Sequence, residues 1–413
     1  MQLHEAQCLD SAYACQVYTR TPLLITRGAG MYVWDDQDRQ YLDFCSGGRA
    51  VNALGHCHPV VVAAIQEQAA TLLHTSNDFY TVPQARLMEL LASHCACRRV
   101  FLCNSGAEAN EAALKLARKY GTRKAAERWE VITAQQSFHG RTFGAMTATG
   151  QPKYQQGFGP LVPGFRYVPF NDLPAMAEAI TTHTCAVMLE PVQGESGGYP
   201  ATPEYLQGVR RLCDDAGALL IMDEVQTGLG RTGRLFAYEH ADIKPDIVTI
   251  AKALGGGVPI GAMLATEEVA QAFAPGDHAS TFGGSALVAA AAYVAVSTII
   301  DECLPAHAAE IGHYLAARCA DLQTAHPVVT GYRVVGCMAA IDLAAPIAPD
   351  VKSYALEHGV IIQTVGTQMI RLLPALICER VHVDRLIEVL DAGIHAARQR
   401  PAAQPSSAGI DPQ

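Results

Sequence analysis

Ala218-Leu219-Leu220-Ile221-Met222-Asp223-Glu224-Val225-Gln226 is a run of five apolar residues that stops abruptly on two acids. A run of that length, uninterrupted rather than alternating, predicts a strand covered on both faces, as in a parallel sheet. Outward from it, Ile247 to Ile250, Cys185 to Leu189, Val131 to Ala134 and Val100 to Cys103 repeat the signal. Longer helical patterns separate them. Ala107 to Tyr120 carries alanines and leucines at helical period, with Glu108 and Glu111 in the first turn, where negative charge suits the helix dipole. From about residue 50 to about 300 the alternation predicts an α/β fold, a mostly parallel central sheet flanked by helices.

Beyond residue 300 the pattern changes. A helix containing His307 and Glu310 precedes short strands around Arg333 to Leu343 and Ile370 to Leu373, and a last helix covers Val383 to Arg398, a smaller α+β domain. Met31 to Phe44 alternates like an edge hairpin that turns at Asp35-Asp36 and Gln37-Asp38. The expected division is therefore an N-terminal segment, 1–50, joining the small domain; a large domain, 51–300; the small domain, 301–398; and a disordered tail, 399–413, of Pro, Ala, Ser and Gln without periodicity. There is no internal repeat.

Composition narrows the function. The chain has 413 residues, half of them hydrophobic, enough for a large core, and only 17% charged, below the roughly 25% of an ordinary soluble surface, as fits an oligomer. A net charge of −10 and no basic run argue against nucleic acid. Met1-Gln2-Leu3-His4-Glu5 does not read as a signal peptide, so a cytoplasmic enzyme is expected. The best membrane candidate, Ala286 to Val296, is too short to span and reads as a buried helix. The 13 cysteines are odd in number and scattered through apolar runs, which predicts reduced core thiols. Neither His56-Cys57-His58 nor His94-Cys95-Ala96-Cys97 has the paired spacing of a zinc site, and no metal is expected.

Three features carry chemistry. Lys252 is the only charged residue between Ile247 and Thr266, so it sits in an apolar setting that would favour the neutral, nucleophilic amine. Asp223 closes its strand, and the carboxyl end of a central strand faces the ligand crevice of an open α/β sheet. Ser105-Gly106-Ala107 opens a helix whose free N–H groups form an anion cradle. Each has a plainer reading alone: a lysine satisfied by carbonyls, an acid in a structural ion pair, an ordinary cap. Together they suit a pyridoxal phosphate site, in which the acid keeps the pyridine nitrogen protonated and the lysine carries the cofactor as a Schiff base. Gly228-Leu229-Gly230-Arg231-Thr232-Gly233 spells a dinucleotide fingerprint, yet five residues separate it from the strand and Pro245 follows soon after, so a dehydrogenase is rejected.

Longer stretches then resemble a known family. Glu190-Pro191-Val192-Gln193-Gly194-Glu195, Met222 through Gly228, Ala251-Lys252-Ala253-Leu254-Gly255-Gly256-Gly257, Asn104 through Ala112 and Ser137-Phe138-His139-Gly140-Arg141-Thr142 are similar to the class III (subgroup II) pyridoxal phosphate-dependent aminotransferases. The resemblance runs from about Pro22 to about Leu390. Within the class, Ala148 through Tyr154 and Pro259 through Leu264 look most like acetylornithine aminotransferases.

The resemblance implies a fold type I homodimer that moves a terminal amine, foremost that of N-acetylornithine, to 2-oxoglutarate. Succinylornithine, ornithine and 4-aminobutyrate remain alternative donors. It also implies roles: Phe138 stacks on the cofactor ring, Gln226 bonds the ring hydroxyl, and Thr281 reaches the phosphate of the neighbouring subunit. Arg141 binds the substrate carboxylate far from the reacting amine. Arg371 holds the α-carboxylate of 2-oxoglutarate, with Glu195 pairing with it in the other half-reaction, and Tyr80 joins the substrate-binding set. Three positions depart from the acetylornithine pattern: Arg49 stands where an apolar residue is usual, Ser196 replaces a glycine, and Ser285-Ala286 replaces Asn-Pro. An added cation at Arg49 is expected to favour an acidic acyl group.

Overall fold

In the computed structural model, which describes residues 1–399, the apolar runs pair into one seven-stranded sheet. Its order is Arg99–Cys103, Gly261–Ala265, Ile247–Ile250, Leu219–Asp223, Thr184–Leu189, Glu130–Ala134, Phe165–Val168. The last five are mutually parallel, while Gly261–Ala265 runs antiparallel to both neighbours. Every residue of the three central strands is buried, which is why they read as continuous apolar runs. Asp223 is the last residue of the middle strand, and Lys252 follows the end of the next one.

Helix Gly106–Lys124 lies across this sheet and puts its N-terminus at the strand ends. Its buried face is Ala109, Ala112, Ala113, Leu116 and Ala117, and small side chains there let the backbone approach closely. At Gly121 a Cβ would stand 2.3 Å from the Arg128 carbonyl oxygen and 2.6 Å from Cys185 Cβ, so only glycine permits this seat. Helix Ala286–Asp301 is packed inside the protein, with Ala289, Ala292, Ala295 and Ile299 fully buried. No single helix among the described residues is long and apolar enough to cross a membrane.

A second sheet, Val329–Val335, Met338–Leu343, Met369–Leu372 and Gln363–Val365, is antiparallel throughout and is covered by helices Leu304–Ala325 and Ala348–Glu357, against which helix Arg380–Gln399 packs. A third sheet corrects the expected edge hairpin. Ile25–Ala29 flanks Tyr32–Asp35, and Val360–Ile361 pairs in parallel with Gln40–Asp43, so both hairpin strands lie inside a four-stranded sheet. The covering strand comes from more than 300 residues away, which no local pattern could announce. Of the expected tail, Gln399 ends the last helix, and the rest lies outside the described residues.

Gly228 to Gly233 forms a buried turn followed by a short 3-10 segment, Ala237–Ala241, with no long helix. The fully buried Arg231 ties it down by donating to the carbonyls of Cys337 and Pro374. These glycines shape a tertiary contact and leave no helix N-terminus for a dinucleotide.

Candidate active site

Asp223 is 3% exposed and held on both carboxylate oxygens. Asn110 Nδ2 donates to Oδ2 at 2.8 Å, His139 Nδ1 lies 2.7 Å from the same oxygen, and the Val225 N–H donates to Oδ1 at 3.0 Å. Asn110 is fixed in turn by the Thr249 hydroxyl, 2.6 Å from its Oδ1, and by donating to the His139 carbonyl. The strand end therefore presents an aimed carboxylate rather than a loose one.

Lys252 sits in the left-handed region, φ 42°, a conformation that a lysine adopts only where its surroundings impose it. Burial pushes its ammonium below the usual lysine range, against the pull of Glu195 and Asp223. Glu190 is buried beside them, its Oε2 accepting from the Phe138 N–H at 2.9 Å. Burial, and then the charge of Asp223, push its carboxyl well above the ordinary range.

Ser105 caps helix Gly106–Lys124 by accepting from the Glu108 N–H at 3.2 Å. A Cβ at Gly106 would meet Val225 Cγ1 at 2.7 Å, so glycine lets the cradle close against the Asp223 loop. Ser105, Gly106, Ala107, Phe138, Arg141, Glu195, Asp223, Gln226 and Lys252 all line one cavity of about 480 Å³. Arg141 lies over the Tyr154 ring, 4.1 Å from its centroid, and over Phe138 at 5.5 Å. It has no ion-pair partner among the described residues.

Glu195 also lines a second cavity, of about 660 Å³, together with Arg49 and Arg371. Arg371 Nη1 donates to Glu195 Oε1 at 3.0 Å, Gln226 Nε2 donates to the same oxygen at 3.3 Å, and Arg49 Nη1 donates to Oε2 at 2.6 Å. The cation expected at Arg49 for an acidic acyl group is thus already paired. Gln363 Oε1 accepts from Arg371 Nη2 at 2.5 Å and Nε at 3.2 Å, and the Gly194 carbonyl accepts from Nη1 at 3.0 Å. Two expected residues stand apart: Thr281 and Tyr80 are exposed and line neither cavity within one chain.

Burial raises the Glu195 carboxyl, but Arg371, Lys252 and Arg49 together outweigh it and bring it down to about 2. The folded value lies below the unfolded one, roughly 4.3. Its contribution to stability is therefore complete above the unfolded value and lost as pH falls through it towards 2. Urea midpoints measured between pH 6 and 3 should fall for the parent chain and fall less steeply for Glu195→Gln. Equal slopes would remove the ion-pair account.

A lysine and a carboxylate at adjoining strand ends of an open α/β sheet, with a helix N-terminus lining the same cavity, suit a pyridoxal phosphate site. Comparison with known proteins agrees. The chain matches the aminotransferase class-III family over residues 13–394 and belongs to it. Acetylornithine aminotransferases from Methanocaldococcus jannaschii and Gloeobacter violaceus are 48% and 49% identical over 384 and 381 residues, covering 93% and 92% of this chain and 96% and 95% of theirs. The N-acetylornithine aminotransferase of Stenotrophomonas maltophilia, a solved structure, superposes with TM-score 0.81 at 38% identity over 94% of this chain and 98% of that one.

The residues present fit the cofactor. Gln226 Oε1 is a buried acceptor with no partner among the described residues, and a ring hydroxyl could donate to it. The cradle's N–H groups suit a phosphate, and the Asp223 carboxylate suits a protonated ring nitrogen. Asn110, His139, Glu190 and Gln363 were not singled out by the sequence reading. Asn110 carried a signal, being polar among Ala109, Ala112 and Ala113 on the buried helix face. Gln363 carried none.

Proposed function

We propose that this chain is a homodimeric, cytoplasmic enzyme of arginine biosynthesis that transfers the terminal amine of N2-acetyl-L-ornithine to 2-oxoglutarate, giving N-acetyl-L-glutamate 5-semialdehyde and L-glutamate. The observation that carries this is the 48% and 49% identity to acetylornithine aminotransferases over nearly the whole of both chains. An ornithine aminotransferase from Toxoplasma gondii superposes with TM-score 0.91, but at 32% identity, so free ornithine ranks second as donor.

In this reading Ser105, Gly106 and Ala107 hold the cofactor phosphate, with Thr281 of the neighbouring subunit, and Phe138 covers the ring face. Gln226 bonds the ring hydroxyl. When bound, pyridoxal phosphate supplies an electron sink that lets the amine-bearing carbon lose a proton. Lys252 anchors the cofactor and then, as a neutral amine favoured by burial, takes that proton at Nζ. Asp223 keeps a proton on the ring nitrogen, its orientation set by Asn110 and His139. Arg141, at the cavity wall without an ion-pair partner among the described residues, binds the carboxylate remote from the reacting carbon in either substrate, and a planar guanidinium suits that bidentate task. Arg371 takes the α-carboxylate of 2-oxoglutarate, and Glu195 occupies Arg371 when the donor brings no charge there. Tyr80 joins the substrate-binding set in this reading. Residues 1–50 and 301–398 act as one small domain beside the cofactor-binding domain, 51–300, a view supported by the pairing of Gln40–Asp43 with Val360–Ile361.

The test is spectroscopic. Protein loaded with pyridoxal phosphate, without 2-oxoglutarate, should lose the visible band of the lysine-linked cofactor on addition of N-acetylornithine, faster than with ornithine or 4-aminobutyrate. Preference for another amine would replace the donor and keep the chemistry. No response to any amine would overturn the reading.

A further inference from the structure

Glu195 faces a problem that the proposed reaction creates. Its side chain is only 11% exposed and its charge is balanced by Arg371, which is 4% exposed. When the acceptor's α-carboxylate takes Arg371, Glu195 loses that partner and stands beside a second negative charge. An unpaired carboxylate at such a depth is strongly unfavourable. Gln226 offers only a long, neutral contact of 3.3 Å to Oε1.

The other oxygen is held differently. Oε2 accepts from Arg49 Nη1 at 2.6 Å, and Arg49 is 61% exposed, facing the wider cavity. It follows Gly47 and Gly48, whose φ values of 71° and 104° give the loop a glycine-only path. A Cβ at Gly48 would have nothing within 4 Å, and the tip carrying Arg49 is tied down through the Gly48 carbonyl, which accepts from Gln363 Nε2. The Arg371 guanidinium itself is buried and held by Gln363 and the Gly194 carbonyl, whereas the Arg49 side chain is exposed. One carboxylate thus bridges a buried cation and an exposed one.

We infer that Arg49 is a positioning residue that keeps Glu195 paired through Oε2 while Arg371 is occupied by a dicarboxylate acceptor, and so sets the affinity for that acceptor. The inference rests on the proposed reaction and deepens it. Without Arg49, Glu195 has Arg371 as its single cationic hydrogen-bond partner, and the acceptor must displace it into an unpaired state. The donor half-reaction leaves the Glu195 and Arg371 pair intact and depends on Arg49 less.

The experiment separates the two half-reactions in Arg49→Ala, followed by absorbance, and adds calorimetric binding of glutarate, a dicarboxylate without a keto group. The rate constant kcat/KM for 2-oxoglutarate should fall about tenfold more than that for N-acetylornithine, between the few-fold effect of an exposed ion pair and the hundred-fold or larger effect of a buried one. Glutarate should bind correspondingly more weakly. Arg49→Lys should recover most of both losses, and in a Glu195→Gln background Arg49→Ala should change neither, because no charge is left to hold. Equal losses in both half-reactions, or unchanged glutarate binding, would overturn the inference while leaving the proposed reaction standing. A parent enzyme that accepts N-acetylornithine and refuses 2-oxoglutarate would overturn both.

Discussion

Lys252→Ala is expected to lower transamination by roughly 10⁴-fold, the upper range for loss of a positioned proton-transfer group, and to abolish the visible band of lysine-linked cofactor. Two roles end with one side chain: the anchoring amine and the base at the amine-bearing carbon. No neighbour can substitute. Glu190 is held towards its protonated form by burial and by Asp223, and Glu195 is committed to Arg49 and Arg371. The fold should survive. Burial lowers the lysine's pKa, so as pH falls below its unfolded value protonation costs the folded chain stability. At pH 7 the cofactor-free variant should therefore be as resistant to urea as the parent, or more so. A small primary amine added to the loaded variant should restore part of the rate, since the geometry of Asp223, Arg141 and Arg371 is untouched. If Lys252→Ala turned over within tenfold of the parent, the assignment of the base would fail.

The legibility of this site in the sequence follows from how local each cause is. Lys252 and Asp223 could be read because a charge that interrupts an apolar stretch has few structural explanations; Asp223 ends one central strand and Lys252 follows the end of its neighbour. Ser105-Gly106-Ala107 was readable because a cap and a helix start are written in neighbouring residues. The central strands were readable because burial on both faces makes them uniformly apolar. Gly261–Ala265 was not assigned as a strand: Gly-Ala-Met-Leu-Ala has weak strand preference, and its antiparallel place is a tertiary fact. The interior position of the N-terminal hairpin and the Arg49 contact to Glu195 join segments at least 146 residues apart, a kind of cause that spacing does not encode, and the Gln363 lock on Arg371 depends on the two being partners across neighbouring strands. Arg49 shows the limit best. Its oddness was visible in the sequence, but its contact with Glu195 of the same chain was not.

Asp223→Asn should lower both half-reactions by about 10²- to 10³-fold, the usual effect of deleting one preorganised electrostatic partner of developing charge. The substitution keeps the shape and removes the charge. An amide cannot accept on both atoms, so the donors that now converge on Asp223, from Asn110 and His139 on one oxygen and Val225 on the other, would meet one acceptor and one competing N–H₂. The proton on the ring nitrogen would lose its counter-charge, and with it the electron demand that makes the amine-bearing carbon acidic. Because the carboxylate acts on the carbon through the ring, loss should appear mainly in kcat for both N-acetylornithine and 2-oxoglutarate, with KM little changed. That separates it from Arg141 and Arg371, whose loss should appear in KM. Cofactor retention must be measured alongside, by absorbance after gel filtration, since the same carboxylate also helps hold the ring. Asp223→Glu, which restores charge but displaces it by one methylene, should recover only part of the rate, as the Asn110 and His139 contacts at 2.8 and 2.7 Å leave little room to re-aim a longer side chain. A fully loaded Asp223→Asn enzyme within tenfold of the parent in both half-reactions would show that this carboxylate fixes the fold around His139 and Asn110 and leaves the ring's chemistry to another group.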